Sequence, residues 1–97
     1  MHLFRTVHHI CIVVHDLEKS VAYYESIGVN GWYEYAKGAP YAELDLPNPK
    51  ASMRYRCVDF ENVQLQLCQP GQEDSPQRRF LDRAGEGVYH LGFDLDD

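Results

Sequence analysis

The sequence predicts an α+β domain: a βαβββ unit followed by the first strand of a second, truncated copy. Three observations carry this. Val7–Val14 (VHHICIVV) is short and rich in β-branched residues, the signature of a largely buried strand. Leu17, Val21 and Tyr24 then fall at i, i+4 and i+7, the spacing of one apolar helix face. Two later segments alternate apolar and polar residues with a period of two, the spacing of half-buried strands.

The elements follow in order. Asp16 is a good N-cap and Gly28 supplies a left-handed C-terminal residue, so the first helix is expected over Leu17–Ile27. Gly31–Lys37 (GWYEYAK) is aromatic-rich and ends at Gly38, which predicts a second strand. Pro40, Pro47 and Pro49 make Ala39–Ala51 a loop. Ser52–Val58 alternates Met53, Tyr55 and Cys57 with Ser52, Arg54 and Arg56, and Asn62–Cys68 places Val63, Leu65 and Leu67 against Gln64 and Gln66. The short link Asp59-Phe60-Glu61 joins these two as an antiparallel hairpin. Ser75 as N-cap and Pro76 at the first helical position open a second helix that stops at Gly85. A last strand, Gly87–Asp96, alternates Leu91, Phe93 and Leu95 with His90, Gly92 and Asp94. Its His at the third position and its acidic end parallel Val7–Asp16, a weak internal repeat. Residues 1–84 are thus expected to form one module with its linker helix, and residues 85–97 the first strand of the next.

Composition bounds the function. The chain has 97 residues, 44% of them hydrophobic, and a formal net charge of −6, so it lacks the clustered Lys and Arg that nucleic-acid phosphates require. No apolar run approaches the roughly 20 residues that span a bilayer, and Met1–Val7 has no signal-peptide core, so a cytoplasmic protein without a membrane partner is expected. Cys11, Cys57 and Cys68 are odd in number and lie in apolar segments, as free thiols acting as small hydrophobes. No nucleophile elbow, P-loop or dinucleotide turn is present.

Strand parity sorts the remaining polar residues. Ile10, Ile12, Val14, Val63, Leu65, Leu67, Leu91, Phe93 and Leu95 form the face that meets the helices. The opposite face carries His9, Gln66 and His90, one from each of three strands, and a curved sheet would bring their nitrogen and oxygen donors toward one point, which suits a divalent metal. The same residues could equally be hydrogen-bonded structural side chains. His8 is expected to share the helix side or strand edge with Ile10. Arg54 and Arg56 lie opposite Met53, Tyr55 and Cys57, which directs them with Gln64 toward the metal side, where they would bind an anionic substrate. As solvated charges guarding an edge strand they would have no such role.

The run His8–Val14 followed by Asp16–Tyr24 resembles the opening of the vicinal oxygen chelate superfamily, which includes glyoxalase I, methylmalonyl-CoA epimerase, extradiol dioxygenases and bleomycin-resistance proteins. Asn62–Pro70 and Gly85–Phe93 resemble its epimerase and glyoxalase-like branch. The resemblance implies paired βαβββ modules forming a cupped sheet, with helices on the convex face, around a divalent metal (Zn, Ni, Co, Mn or Fe). His9, Gln66 and His90 match three family ligands. The fourth, a late Glu, falls beyond Asp97, and the position of a second family base carries Arg54 and Arg56, so the catalytic residues are left open. The resemblance implies a metal-dependent lyase or isomerase (epimerase) that acts beside the carbonyl of a small anionic or thioester substrate. Two alternatives stand beside it: a drug- or ligand-sequestering protein of the bleomycin-resistance type, and an Fe(II) extradiol-type dioxygenase. A homodimer is expected because a half-cup leaves a sheet face and strand edges uncovered.

Overall fold

A computed structural model of the protein describes residues 4–34 and 53–95. It contains β1 (Phe4–Val13), α1 (Leu17–Ser26), β2 (Met53–Asp59), β3 (Gln64–Pro70), α2 (Pro76–Ala84) and β4 (Gly87–Leu95). The expected loop over residues 39–51, and residues 35–37 of the expected second strand, lie outside the described residues. The remainder of that strand contributes one antiparallel bridge, Tyr33 to Cys57 on β2. No helix among the described residues is long and apolar enough to cross a membrane.

The four strands form one mixed sheet in the order β2-β3-β1-β4. β1 runs parallel to β3 and antiparallel to β4, and β2 and β3 form the expected hairpin. Both helices begin as their caps dictate: the Asp16 carboxylate accepts from the Lys19 N–H, and the Ser75 hydroxyl accepts from the Arg78 N–H. α2 ends at Gly85, whose φ of 82° favours glycine.

Both faces of the sheet hold buried apolar residues. On one, Val14, Leu17, Val21 and Leu67 pack together under α1, with Ile12, Tyr24 and Trp32 against them. On the other, Cys11, Val13 and Cys68 pack with Leu81 of α2, flanked by Met53, Tyr55, Phe80 and Tyr89. α2 therefore adds its apolar residues to the row opposite α1, where small side chains at Cys11 and Cys68 leave room for Leu81. Leu91 and Phe93, expected in the core, are exposed on β4. β4 is an edge strand with few contacts to α1, so its apolar row is left half in solvent.

All three cysteines are buried and none forms a disulfide. Burial, helped by the charge of Asp59, pushes the Cys57 thiol from 9.0 up to about 11, and burial pushes that of Cys68 up to about 12 against a hydrogen bond from Tyr55 that acts the other way.

Leu67, fully buried, should lose about 2 to 5 kcal/mol of stability as Leu67→Ala, whereas Leu91→Ala, at a site 48% exposed, should lose less than about 1 kcal/mol; urea unfolding compares them. The folded thiols hold their protons more tightly than the unfolded chain does. Their contribution is therefore complete below pH 9.0 and disappears as pH rises through about 11 and about 12. The urea midpoint should fall over that window, and a flat profile would contradict the burial of the thiols.

Candidate functional site

Cross-strand register lays out the face opposite α1 as two neighbouring rows. Cα partners across a ladder share a face. Reading from β4 to β2, one row is His90, Cys11, Gln66 and Cys57, and the next is Gly92, His9, Gln64 and Asp59. The structure thus brings the sequence-predicted His9, Gln66, His90 and Gln64 onto one patch.

Within it the two imidazoles touch. His9 Nε2 lies 3.0 Å from His90 Nε2, with ring centroids 5.1 Å apart and planes at 82°. This approach depends on Gly92. A Cβ there would collide with Cε1, Nδ1 and Nε2 of the His9 ring, so only glycine lets that ring lie over β4 and reach His90. The sequence signal was a lone glycine inside a strand pattern, and its meaning emerged only with the register.

The other nitrogen of His9, Nδ1, lies 2.9 Å from His8 Nδ1. The sequence expectation for His8 is the helix side or the strand edge. The β1–β4 register shifts between Val7 and His9, so His8 has no direct partner on β4 and its ring turns to the edge of His9.

The amides form a second group. Gln66, 2% exposed, donates from Nε2 to Gln64 Oε1 at 2.6 Å. Gln64 Nε2 donates to the Tyr33 hydroxyl at 2.7 Å and to Asp59 Oδ1 at 3.2 Å, and Tyr33 donates to the same Oδ1 at 2.9 Å. Burial, and then the bond to Asp59, push the Tyr33 hydroxyl from 10.0 up to about 12, so it stays a donor. Sequence reasoning missed both Tyr33 and Asp59, since one lies outside the regular strands and the other was read as hairpin link.

Arg54 and Arg56 are a correction. They pair with Gln69 and Leu67, on the α1 side, and both guanidiniums reach Glu18 Oε1 of α1 at 3.0 Å. The parity rule took the charged row of β2 for the metal side. On this edge strand the order is reversed, because Cys57 and Tyr55 face the buried row while the α1 side is wet and supplied with Glu18. A cleft of about 620 Å³ between α1 and the start of β4, lined by Ile12, Asp16, Tyr23 and Glu86, also belongs to the α1 side.

The patch fits a divalent metal. Two bonds of roughly 2.1 Å that meet near a right angle leave their nitrogens about 3.0 Å apart, the separation seen between His9 and His90. No group of three His, Cys, Asp or Glu side chains suited to a metal occurs among the described residues; Gln66 is the third sequence-predicted donor on this face.

Residues 8–97 match the family model of the Glyoxalase/Bleomycin resistance protein/Dioxygenase superfamily. Human mitochondrial methylmalonyl-CoA epimerase is 31% identical over 93 residues, covering 94% of this chain and 47% of that protein. The chain thus spans about half the length of this curated relative. Among solved structures, a Streptomyces coelicolor methylmalonyl-CoA epimerase variant in complex with 2-nitronate-propionyl-CoA has a TM-score of 0.69 at 27% identity, covering 93% of this chain and 61% of that one. A methylmalonyl-CoA epimerase in complex with methylmalonyl-CoA and NH4+ has a TM-score of 0.69 at 28% identity, covering 95% and 60%.

The contact between Gly92 and His9 is testable by a double-mutant cycle. Gly92→Ala alone should cost about 1 to 3 kcal/mol through overpacking, and less than about 0.5 kcal/mol in a His9→Ala background. Equal costs in both backgrounds would mean that the imidazole does not occupy this space.

Proposed function

The chain belongs to the Glyoxalase/Bleomycin resistance protein/Dioxygenase superfamily, and on that premise we propose an epimerase-type protein that moves a proton at the carbon beside the carbonyl of an acyl thioester. The observation that carries this reading is the His9–His90 contact on the same face as Gln66. His9 Nε2, His90 Nε2 and the Gln66 carbonyl oxygen would hold a divalent metal. That metal would supply Lewis acidity, which draws charge toward the carbonyl oxygen and makes the neighbouring C–H more acidic.

The chain's own residues prepare this site. Gly92 admits the His9 ring, and the three strands hold His9, Gln66 and His90 on fixed backbone, so little order need be gained when a ligand arrives. The dry row at Val13 and Cys68 closes one end of the face to water. The thiols of Cys57 and Cys68 keep their protons at neutral pH, so neither is a competing nucleophile or thiolate ligand.

An acyl-CoA is the proposed substrate class, supported by the acyl-CoA ligands bound in the similar epimerase structures. Its phosphates and carboxylates would be met away from Arg54 and Arg56, which Glu18 holds on the α1 side. A homodimer is part of the proposal, supported by the exposed Val88, Leu91 and Phe93 on edge strand β4.

Native mass spectrometry of the chain with Co²⁺ or Mn²⁺, followed by proton exchange of methylmalonyl-CoA in D₂O, tests this reading. One metal per chain is expected, with affinity at least about tenfold weaker in His9→Ala and in His90→Ala and unchanged in His15→Ala. A chain that takes up no metal would point instead to a sequestering protein, and metal uptake without exchange would refute the reaction.

A further inference from the structure

The amide chain leading away from Gln66 has a defined polarity, and that polarity starts at a carboxylate. Ionised Asp59 can only accept hydrogen bonds. Its Oδ1 receives the Tyr33 hydroxyl and one hydrogen of Gln64 Nε2. Tyr33 has a single hydrogen, spent on Asp59, so its oxygen is an acceptor toward Gln64, which donates its second hydrogen there. Both hydrogens of the Gln64 amide are then committed on the Asp59 side, and Oε1 is the group it turns toward Gln66. Gln66 must answer with its NH₂.

We infer that Asp59, acting through Gln64, is a positioning residue that commits the Gln66 NH₂ group and so leaves the Gln66 carbonyl oxygen as the pole available to a cation beside His9 and His90. This rests on the metal-site reading above. Its chemical basis is general: a neutral amide ligates a hard or borderline cation through oxygen, while its NH₂ group presents positive hydrogens that repel one. An amide rotates between its two poles at little intrinsic cost, so a metal site built on Gln needs some outside group to choose. Asp59 makes that choice at two residues' remove, and it does so from an exposed position at the end of β2, where its charge is held without burial. The geometry also accounts for Tyr33. Its hydroxyl, kept protonated, locks the carboxylate from the far side and takes the second Gln64 hydrogen, which closes the alternative arrangement.

The test compares Co²⁺ binding, by titration and by the visible absorption of the bound ion, across the full chain and five variants. Asp59→Ala and Gln64→Leu should each weaken binding about tenfold and give the same altered Co²⁺ spectrum as Gln66→Ala. Their double variant should be no worse than either alone, because both act on one amide. Asp59→Asn, which retains a carbonyl acceptor, should restore binding to within about threefold. Thermal unfolding without metal should be nearly unchanged for Asp59→Ala, since the side chain is exposed. Unaltered Co²⁺ affinity and spectrum in Asp59→Ala would overturn the inference while leaving the proposed function standing. Loss of binding that tracks a fall in thermal stability, without rescue by Asp59→Asn, would reduce Asp59 to a structural role and overturn it too. No Co²⁺ uptake by the unaltered chain would overturn the metal-site reading and this inference together.

Discussion

The register between β1 and β4 decides what this module can do. It sets His9 against Gly92 and Cys11 against His90, so that one imidazole crosses empty space above a glycine to meet the other. A slip of one residue would send His90 to the α1 side and bring a side chain to the place of Gly92. Among the described residues, β1 is the only strand whose neighbours on both sides carry candidate ligands, and it collects Gln66 from β3 and His90 from β4 at the level of Cys11. The two apolar clusters hold that register from both faces. Ile12, Val14 and Leu67 lock one side of β1, and Cys11, Val13 and Cys68 lock the other.

The polar groups on this face obey the ordinary cost of burial. Gln66 is almost fully buried, and an amide without a partner there would cost on the order of 1 to 3 kcal/mol. The chain through Gln64 to Tyr33 and Asp59 removes most of that cost by passing the hydrogen bonds outward until they reach solvent. The direction of the passage, from a carboxylate that can only accept toward amides that can do both, gives the face a fixed polarity as well as stability. Cysteine serves the opposite purpose in the same row. Cys11, Cys57 and Cys68 fill the space beside the polar groups with small, weakly polar side chains, and those of Cys57 and Cys68 keep their protons.

How much of this was legible depended on whether a strand had one apolar row. β3 does, with Leu65 and Leu67 at one parity, and around the candidate ligands β1 and β4 do too, with Ile10, Ile12, Leu91 and Phe93 opposite them, so His9, Gln66 and His90 could be read onto a common face from the sequence. β2 does not. Its residues are apolar at both parities, with Val58 among the arginines, and its position at the sheet edge lets the charged row face a wet helix flank rather than the site. Period-two arithmetic has no term for where in the sheet a strand lies, and so it sent Arg54 and Arg56 to the wrong side. At His8 a shift in pairing between Val7 and His9 interrupts the alternation that parity assumes. Gly92 and Tyr33 were invisible because each acquires its role from a partner many residues away in sequence, and Asp59 because it was read as part of the hairpin link.

The face is graded along the strands, and the gradient places chemistry where it can be reached. At the level of Val13 and Cys68, Leu81 and Phe80 of α2 cover the sheet and no solvent enters. One and two residue pairs further along, His90, Gln66 and His9 are buried to half-buried, and beyond them Asp59 and Tyr33 stand in water. A ligand approaching from the wet end would meet the imidazoles with the dry row behind them, so its polar head would be held at a boundary rather than in a sealed core. That arrangement needs only a small helix at one end of the sheet. Had α2 extended over His9 and Gln64, the same polar residues would be a satisfied core network with nothing left to bind.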